Sequence, residues 1–355
     1  MQRLAVVIFN LGGPDGLPAV EPFLFNLFSD PAIISAPQPF RWLIAKLISK
    51  RRTPLAQEIY SHVGGKSPLL GLTNDQAQAL QSQLQNTLVE TEVKVFVCMR
   101  YWHPFSHEVA EQVKNFAPTD VTLLPLYPQY STTTTESSFK DWDKITQALQ
   151  LNIPTKRICC YPTEPGFINA QAQLLKAAIQ KAKASSDDVR VLFSAHGLPT
   201  KIVQGKGDPY PDQVAKSAQG IVQALADQGI NLTDWLVCYQ SRVGPLEWIG
   251  PSTEEEIKRA GADDKALVVL PIAFVSEHSE TLVELDIEYK ELAQKHGVNV
   301  YIRVPAVGTH TDFIGGLNNL VIESMQNKLN LCAQGKAQRL CKQSSKACPM
   351  TENAR

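Results

Sequence analysis

Neither sign of charge dominates this chain: 34 Lys and Arg stand against 35 Asp and Glu, a formal net charge of −1. A nucleic-acid binder needs a basic footprint to displace condensed counterions, so that class is set aside. Long apolar runs are also missing. No stretch approaches the roughly 20 residues that cross a bilayer, and Met1-Gln2-Arg3 leads into a strand-like run without the apolar core and cleavage site of a secretory signal. These absences predict a cytoplasmic protein. Cysteine is scarce, seven in 355 residues; a reducing cytosol disfavours structural disulfides, so clustered thiols read first as metal ligands. No Gly-x-Ser-x-Gly elbow is found, and Leu11-Gly12-Gly13-Pro14 has neither phosphate-loop nor dinucleotide spacing.

The remaining composition, 44% hydrophobic and 19% charged, is that of an ordinary globular protein. At roughly 100–200 residues per domain the length gives two domains or one large one. Short β-branched runs bounded by turn residues recur at Leu4–Phe9, Val93–Cys98, Val121–Leu124, Arg157–Cys160, Val189–Phe193, Trp235–Tyr239, Leu267–Ala273 and Val298–Val304. They read as buried strands. Helical stretches such as Asn74–Thr87 and Phe167–Ala184 lie between them, which predicts an α/β fold with parallel sheets. Eight strands divide four and four, giving an N-terminal half at 1–162, a C-terminal half at 163–310 and a 311–355 extension. That extension holds a helix near Asp312–Leu329 and a polar, cysteine-bearing tail.

In open α/β sheets ligands bind beyond the carboxyl ends of the strands, and the unusual residues fall there. His196 closes the run Val191-Leu192-Phe193-Ser194-Ala195, held rigidly with a side chain that exchanges protons near neutral pH and also ligates metals. After Leu267–Ala273 come His278, Glu280, Glu284 and Glu288. The acids drift about 40° per step on an α-helix, and a π-type widening would bring them closer to one line. Such a file of carboxylates can conduct protons or hydrated cations; the plainer alternative is a solvated acidic face. Three aromatic-rich segments, Arg100–Pro104, Leu126–Ser131 and Gln240–Trp248, each follow a strand and suit a flat apolar ligand carrying carboxylates. In the 23–50 stretch Phe40, Leu43, Ile44, Leu47 and Ile48 keep helical spacing, Arg41, Lys46 and Lys50–Arg52 supply cations, and no acid occurs from 31 to 57. This fits either an interfacial amphipathic helix or a surface helix packed on the core.

Taken together, Asn10–Pro14, Arg51–Pro54, Tyr60, Gly64–Leu69, Arg100–Pro104, Leu126–Ser131, Ser194–Pro199, Gln240–Trp248 and Glu277–Glu288 make the sequence resemble the ferrochelatase family over nearly its whole length. The resemblance implies two Rossmann-like domains, each with a four-stranded mostly parallel sheet flanked by helices in the manner of class II chelatases. Porphyrin would lie in the cleft between them, under an apolar lip formed by residues 23–50 that meets the inner membrane. It implies insertion of ferrous iron into protoporphyrin IX, the last step of haem synthesis, with iron as substrate and no cofactor required. Coproporphyrin is the alternative substrate, and a non-catalytic tetrapyrrole carrier or sensor the alternative class. By motif, His196 matches the base that accepts pyrrole protons and Glu280 the glutamate facing it, both near the incoming iron; His278, Glu284 and Glu288 match the supporting acidic path. Leu11, Arg52, Tyr60, Ser67, Arg100, Tyr101 and Trp248 match porphyrin-binding positions. Leu11 replaces the Met or Tyr of some relatives, and Lys66 a common glycine. Some members carry a 2Fe–2S cluster, for which the candidate ligands here are Cys332, Cys341 and Cys348 with Cys159 or Cys160.

Overall fold

The computed structural model describes residues 2–242, 244–327, 330–336 and 338–350. The chain folds as two compact units. One holds the residues up to Cys160 together with Leu317–Arg339; the other holds Tyr161–Gly316 together with Leu340–Cys348. The 311–355 extension is thus shared between the units.

The first unit contains strands β1 (Gln2–Asn10), β2 (Thr91–Met99), β3 (Asp120–Pro125) and β4 (Thr155–Cys160). The second contains β5 (Val189–His196), β6 (Trp235–Gln240), β7 (Ala266–Pro271) and β8 (Tyr301–Arg303). A ninth strand, β9 (Leu331–Ala333), lies in the cysteine-bearing tail and belongs to the first unit. The strand orders are β2-β1-β3-β4-β9 and β6-β5-β7-β8, with every strand pair parallel. The expected fold class therefore holds, with one correction: the first sheet has five strands, not four. Three residues in a polar tail are too few to show a period, so β9 cannot be read before its pairing with Arg157–Cys160 is seen.

Burial follows the sequence pattern. Residues Leu4 to Ile8 of β1 and Val191 to Phe193 of β5 have no exposed surface, as parallel strands covered on both faces require. Cys98 and Cys238, inside strand runs, are equally buried. The helix expected at Phe167–Ala184 runs from Pro165 to Lys183. It starts there because Pro165 supplies the first-turn backbone angle and the Glu164 carboxylate accepts the Phe167 N–H at 2.7 Å. The helix expected at Asp312–Leu329 spans Thr311–Gln326; Leu329 lies outside the described residues.

Those two helices meet through glycine. A β-carbon on Gly166 would stand 2.2 Å from the Asp312 carbonyl, and one on Gly316 would stand 2.1 Å from the capping carboxylate of Glu164. Gly316→Ala therefore costs about 1–3 kcal/mol by overpacking, and a lowered midpoint in chemical denaturation with an unchanged slope is the expected result.

Candidate active site

β5 and β6 run in register to their ends, where His196 pairs with Gln240. The seven residues before His196 are buried, and its own side chain emerges 39% exposed. Nδ1 lies 2.6 Å from the Gly197 carbonyl oxygen. A carbonyl only accepts, so the neutral ring carries its hydrogen on Nδ1 and leaves the Nε2 lone pair free. Glu280 Oε1 stands 3.8 Å from that Nε2, and Glu280 Oε2 stands 3.6 Å from His278 Nε2. Both gaps exceed a direct hydrogen bond; one carboxylate is bracketed by two imidazoles as charge partners. His278 rests on the Phe274 ring at 4.4 Å, and its buried Nδ1 has no hydrogen-bond partner.

Glu280 opens a π-helix that continues to Glu288, the widening that the four-residue spacing of the acids anticipates. The next acid, Glu284, receives four donors. Ser241 N–H at 2.8 Å and the Tyr289 hydroxyl at 3.0 Å reach Oε1; Gln240 Nε2 at 3.0 Å and the Ser241 hydroxyl at 2.5 Å reach Oε2. Gln240 cannot turn, because Ser194 Oγ donates to its Oε1 at 2.8 Å. Its amide hydrogens stay directed at Glu284 and at the Glu280 carbonyl, 3.3 Å away. Glu288, at the far end, is exposed.

The two inner carboxyls have opposite proton affinities. Burial works against ionising Glu280, but the attraction of the protonated His196 and His278 rings outweighs it and holds the carboxyl well below its ordinary range. Burial, reinforced by the negative charge on Glu280, pushes Glu284 above 4.5. Arg303 fixes the segment from behind, donating to Glu277 at 2.5 Å and to Asp286 at 2.9 Å through Nε. Trp248 packs beside Gly197, where a β-carbon would come within 3.2 Å of the indole.

The first unit gathers a second set of the expected residues at the end of β1. A β-carbon on Gly13 would lie 2.5 Å from the Ser67 side chain and 3.8 Å from the Tyr60 hydroxyl. Leu11 packs in the same cluster as Tyr60 and Tyr101, and Arg52 lies 5.9 Å over the Phe28 ring. Arg100 and Tyr101 are differently disposed from the expected ligand anchors. Tyr101 is 1% exposed and donates to Asp30 at 2.8 Å, while Arg100 donates to Asp30 at 2.9 Å and to Ser137 at 2.8 Å. Their polar groups are committed inside the unit. Asp30, the buried acceptor of this network, escapes sequence reading because its partners lie 70 to 107 residues away; its one signal is that it closes the last acidic position before the acid-free stretch.

Of the candidate cluster thiols, Cys159, Cys160 and Cys332 belong to the first unit, and Cys341 and Cys348 to the second. Cys332 lies near Cys160 in the first unit, and burial followed by that neighbour pushes its thiol up to about 12. Cys159 Sγ is 3.8 Å from Cys160 Sγ. Cys341 is hydrogen-bonded to Cys348 and to Gln213 in the second unit. Among the described residues no three His, Cys, Asp or Glu side chains converge on a metal position.

Comparison with known proteins decides the family. The ferrochelatase family profile matches residues 3–325. A ferrochelatase of Caulobacter vibrioides is 53% identical over 324 residues, covering 91% of each chain, and one of Rickettsia bellii is 46% identical over 363 residues, covering 100% of this chain and 99% of its own. The chain belongs to the ferrochelatase family. Among solved structures, SirB from Bacillus subtilis with Fe3+ shares the fold at a TM-score of 0.51 and 12% identity, over 91% of this chain and 95% of that one.

For a ferrochelatase, the residues that sequence reasoning passed over are Ser241, Gln240 and Tyr289. The first two sit in a recognised segment, but their role appears only when β6 is registered against the π-helix. The electrostatics give a test. Glu280 is depressed in the fold, so its stabilisation is present above its unfolded value and is lost as pH falls through its folded one. Glu284 is raised, so its ionisation opposes folding once pH rises above its unfolded value. In thermal melts, Glu280→Gln should lower the midpoint at pH 7 with a deficit that shrinks on acidification, whereas Glu284→Gln should be neutral or stabilising at pH 7.

Proposed function

We propose that this chain inserts ferrous iron into protoporphyrin IX, forming protohaem and releasing two protons. The observation that carries the reading is the row His196, Glu280 and His278 at the mouth of the second sheet, in a member of the ferrochelatase family. Porphyrin nitrogens bear two hydrogens that must leave as the metal enters, so the reaction needs a base at the ring and a path to solvent. The Nε2 of His196 carries a free lone pair in the neutral ring, and its exposure leaves it open to a ligand. Glu280, ionised between two imidazoles, stabilises the imidazolium that forms and offers a landing place for a dication. Glu284 and exposed Glu288 continue the file outward.

The protein has little covalent work to do. A planar macrocycle hides its lone pairs in a narrow hole, and binding energy along the ring offsets the strain of bending it. In the second unit Trp248 beside Gly197 offers an apolar face to a macrocycle; taken by itself, the first unit offers Leu11, Tyr60 and Ser67 as porphyrin contacts and Arg52 as a cation for a propionate. Arg100 and Tyr101 support the Asp30 network and so shape that set from beneath.

The 23–50 segment favours an apolar, membrane-borne substrate. No helix among the described residues is long and apolar enough to cross a membrane. On the Phe40–Ser61 helix, Ala45, Ser49 and Tyr60 face inward, while Phe40 is 64% exposed, Trp42 52% and Leu47 62%. Its apolar stripe points away from the unit, with Arg41, Lys46, Lys50 and Arg51 alongside. That is the disposition of an element lying in a lipid interface at the cytoplasmic face of the inner membrane; a core-packed helix would bury the same stripe.

Anaerobic mixing with ferrous iron and protoporphyrin IX should replace the free-porphyrin bands with those of haem. His196→Ala should reduce turnover about a hundredfold or more while porphyrin binding persists; near-normal turnover would remove His196 as the base. Phe40→Glu with Leu47→Glu should abolish co-sedimentation with phosphatidylglycerol-rich vesicles at an unchanged melting temperature, and undiminished sedimentation would remove the lip as the lipid contact.

A further inference from the structure

We infer that Cys341 and Cys348 form a reversible disulfide when the protein meets a peroxide, locking the 340–348 segment onto the second unit. This goes beyond the chelatase reading and does not depend on it. Backbone turns bring the two thiols together. Ser345 N–H donates to the Lys342 carbonyl at 3.1 Å, Lys346 N–H to the Ser344 carbonyl at 2.9 Å and Cys348 N–H to the Ser345 carbonyl at 3.0 Å. The chain from Cys341 to Cys348 is thereby folded back on itself, and the two side chains meet in a hydrogen bond. Sulfurs in such contact need only side-chain rotation to reach the roughly 2.05 Å of a disulfide.

The second unit grips this loop at both ends. Near Cys341, Gln213 Nε2 donates to the sulfur at 3.1 Å, Lys342 pairs with Asp212 at 2.9 Å, and Lys216 Nζ donates to the Leu340 carbonyl. Near Cys348, Ala347 N–H donates to the Gly207 carbonyl at 3.2 Å. Gly207 has φ 71°, and a β-carbon there would stand 2.8 Å from the Lys346 nitrogen, so the close approach requires glycine. The partners lie on the Tyr210–Ala226 helix and in the connection that leads to it from His196. They hold the thiols in contact before oxidation, and ring closure costs little further ordering. It stiffens the segment that leaves the candidate base.

The other five cysteines are differently placed. Cys98 and Cys238 are buried inside separate strands, Cys332 donates to the Arg157 carbonyl at 3.3 Å, and Cys159 and Cys160 are chain neighbours on one extended strand. Cys341 alone is partly exposed, which makes it the point of entry for an oxidant. The Cys348 contact and burial keep its thiol protonated at rest, while the Gln213 amide and the Lys216 charge pull the other way and support the anion that forms transiently. Peroxide converts Cys341 to a sulfenic acid with release of one water. The Cys348 sulfur then displaces the hydroxyl, the S–O bond breaks and a second water leaves. Two thiols and one peroxide become one disulfide and two waters.

The test uses the full chain, reduced, freed of reductant, treated with hydrogen peroxide and capped with an alkylating reagent before tryptic digestion. Mass spectrometry should find peptides 340–342 and 347–355 joined, and dithiothreitol should separate them. Amide exchange over 340–348 should slow about tenfold or more on oxidation, and Cys341→Ser and Cys348→Ser should each remove both effects. Two singly capped thiols after peroxide, a sulfinic acid at Cys341, or linkage of Cys341 to another cysteine would overturn the inference. A 2Fe–2S absorption spectrum in the purified protein that Cys341→Ser removes would also overturn it, making the pair cluster ligands instead. Iron insertion is assayed separately, so its failure would leave this result standing.

Discussion

Two carboxyls on successive turns of a largely buried segment repel each other, and neither ionises cheaply away from water. The second unit resolves this conflict by giving them different company. Glu280 sits between His196 and His278, whose protonated forms compensate its charge, while Glu284 sits among four neutral donors. One acid is thereby kept as an anion near the histidine and the next as the better proton acceptor. The fixed amide of Gln240 holds Glu284 directly, while Arg303, bound to Glu277 and Asp286, anchors the π-helical segment that carries both acids.

The geometry at the end of β5 also shows how a sheet supplies a base. Parallel strands buried on both faces place their last residue at a rim that the preceding residues cannot leave. His196 inherits its position from that core and its tautomer from the next carbonyl along the chain. Neither depends on a flexible loop, so the lone pair is aimed before any ligand arrives, which lowers the reorganisation needed during reaction.

Much of this was legible in the sequence, for physical reasons that also mark where legibility stops. Apolar runs such as Val191–Phe193 announce strands because burial on both faces leaves no room for polar residues, and a histidine following such a run is placed by it. The acidic spacing of Glu280, Glu284 and Glu288 suggested the widened helix. The interactions of Ser241, Gln240 and Asp30 were not readable, since each depends on register between elements 40 or more residues apart. Arg100 and Tyr101 have the right chemistry for a ligand's carboxylates, yet in the fold both donate to the buried Asp30. The tail cysteines gave composition without geometry, and the β9 segment among them proved to be sheet.

That last strand has a consequence for how the molecule is made. β4 ends at Cys160, but the strand that covers its edge begins at Leu331, after the whole of the second sheet has been synthesised. During translation the first sheet therefore waits with an open flank while some 170 intervening residues leave the ribosome. An uncovered parallel edge is an invitation to neighbouring nascent chains. The short strand β9 acts as a late closure of that edge.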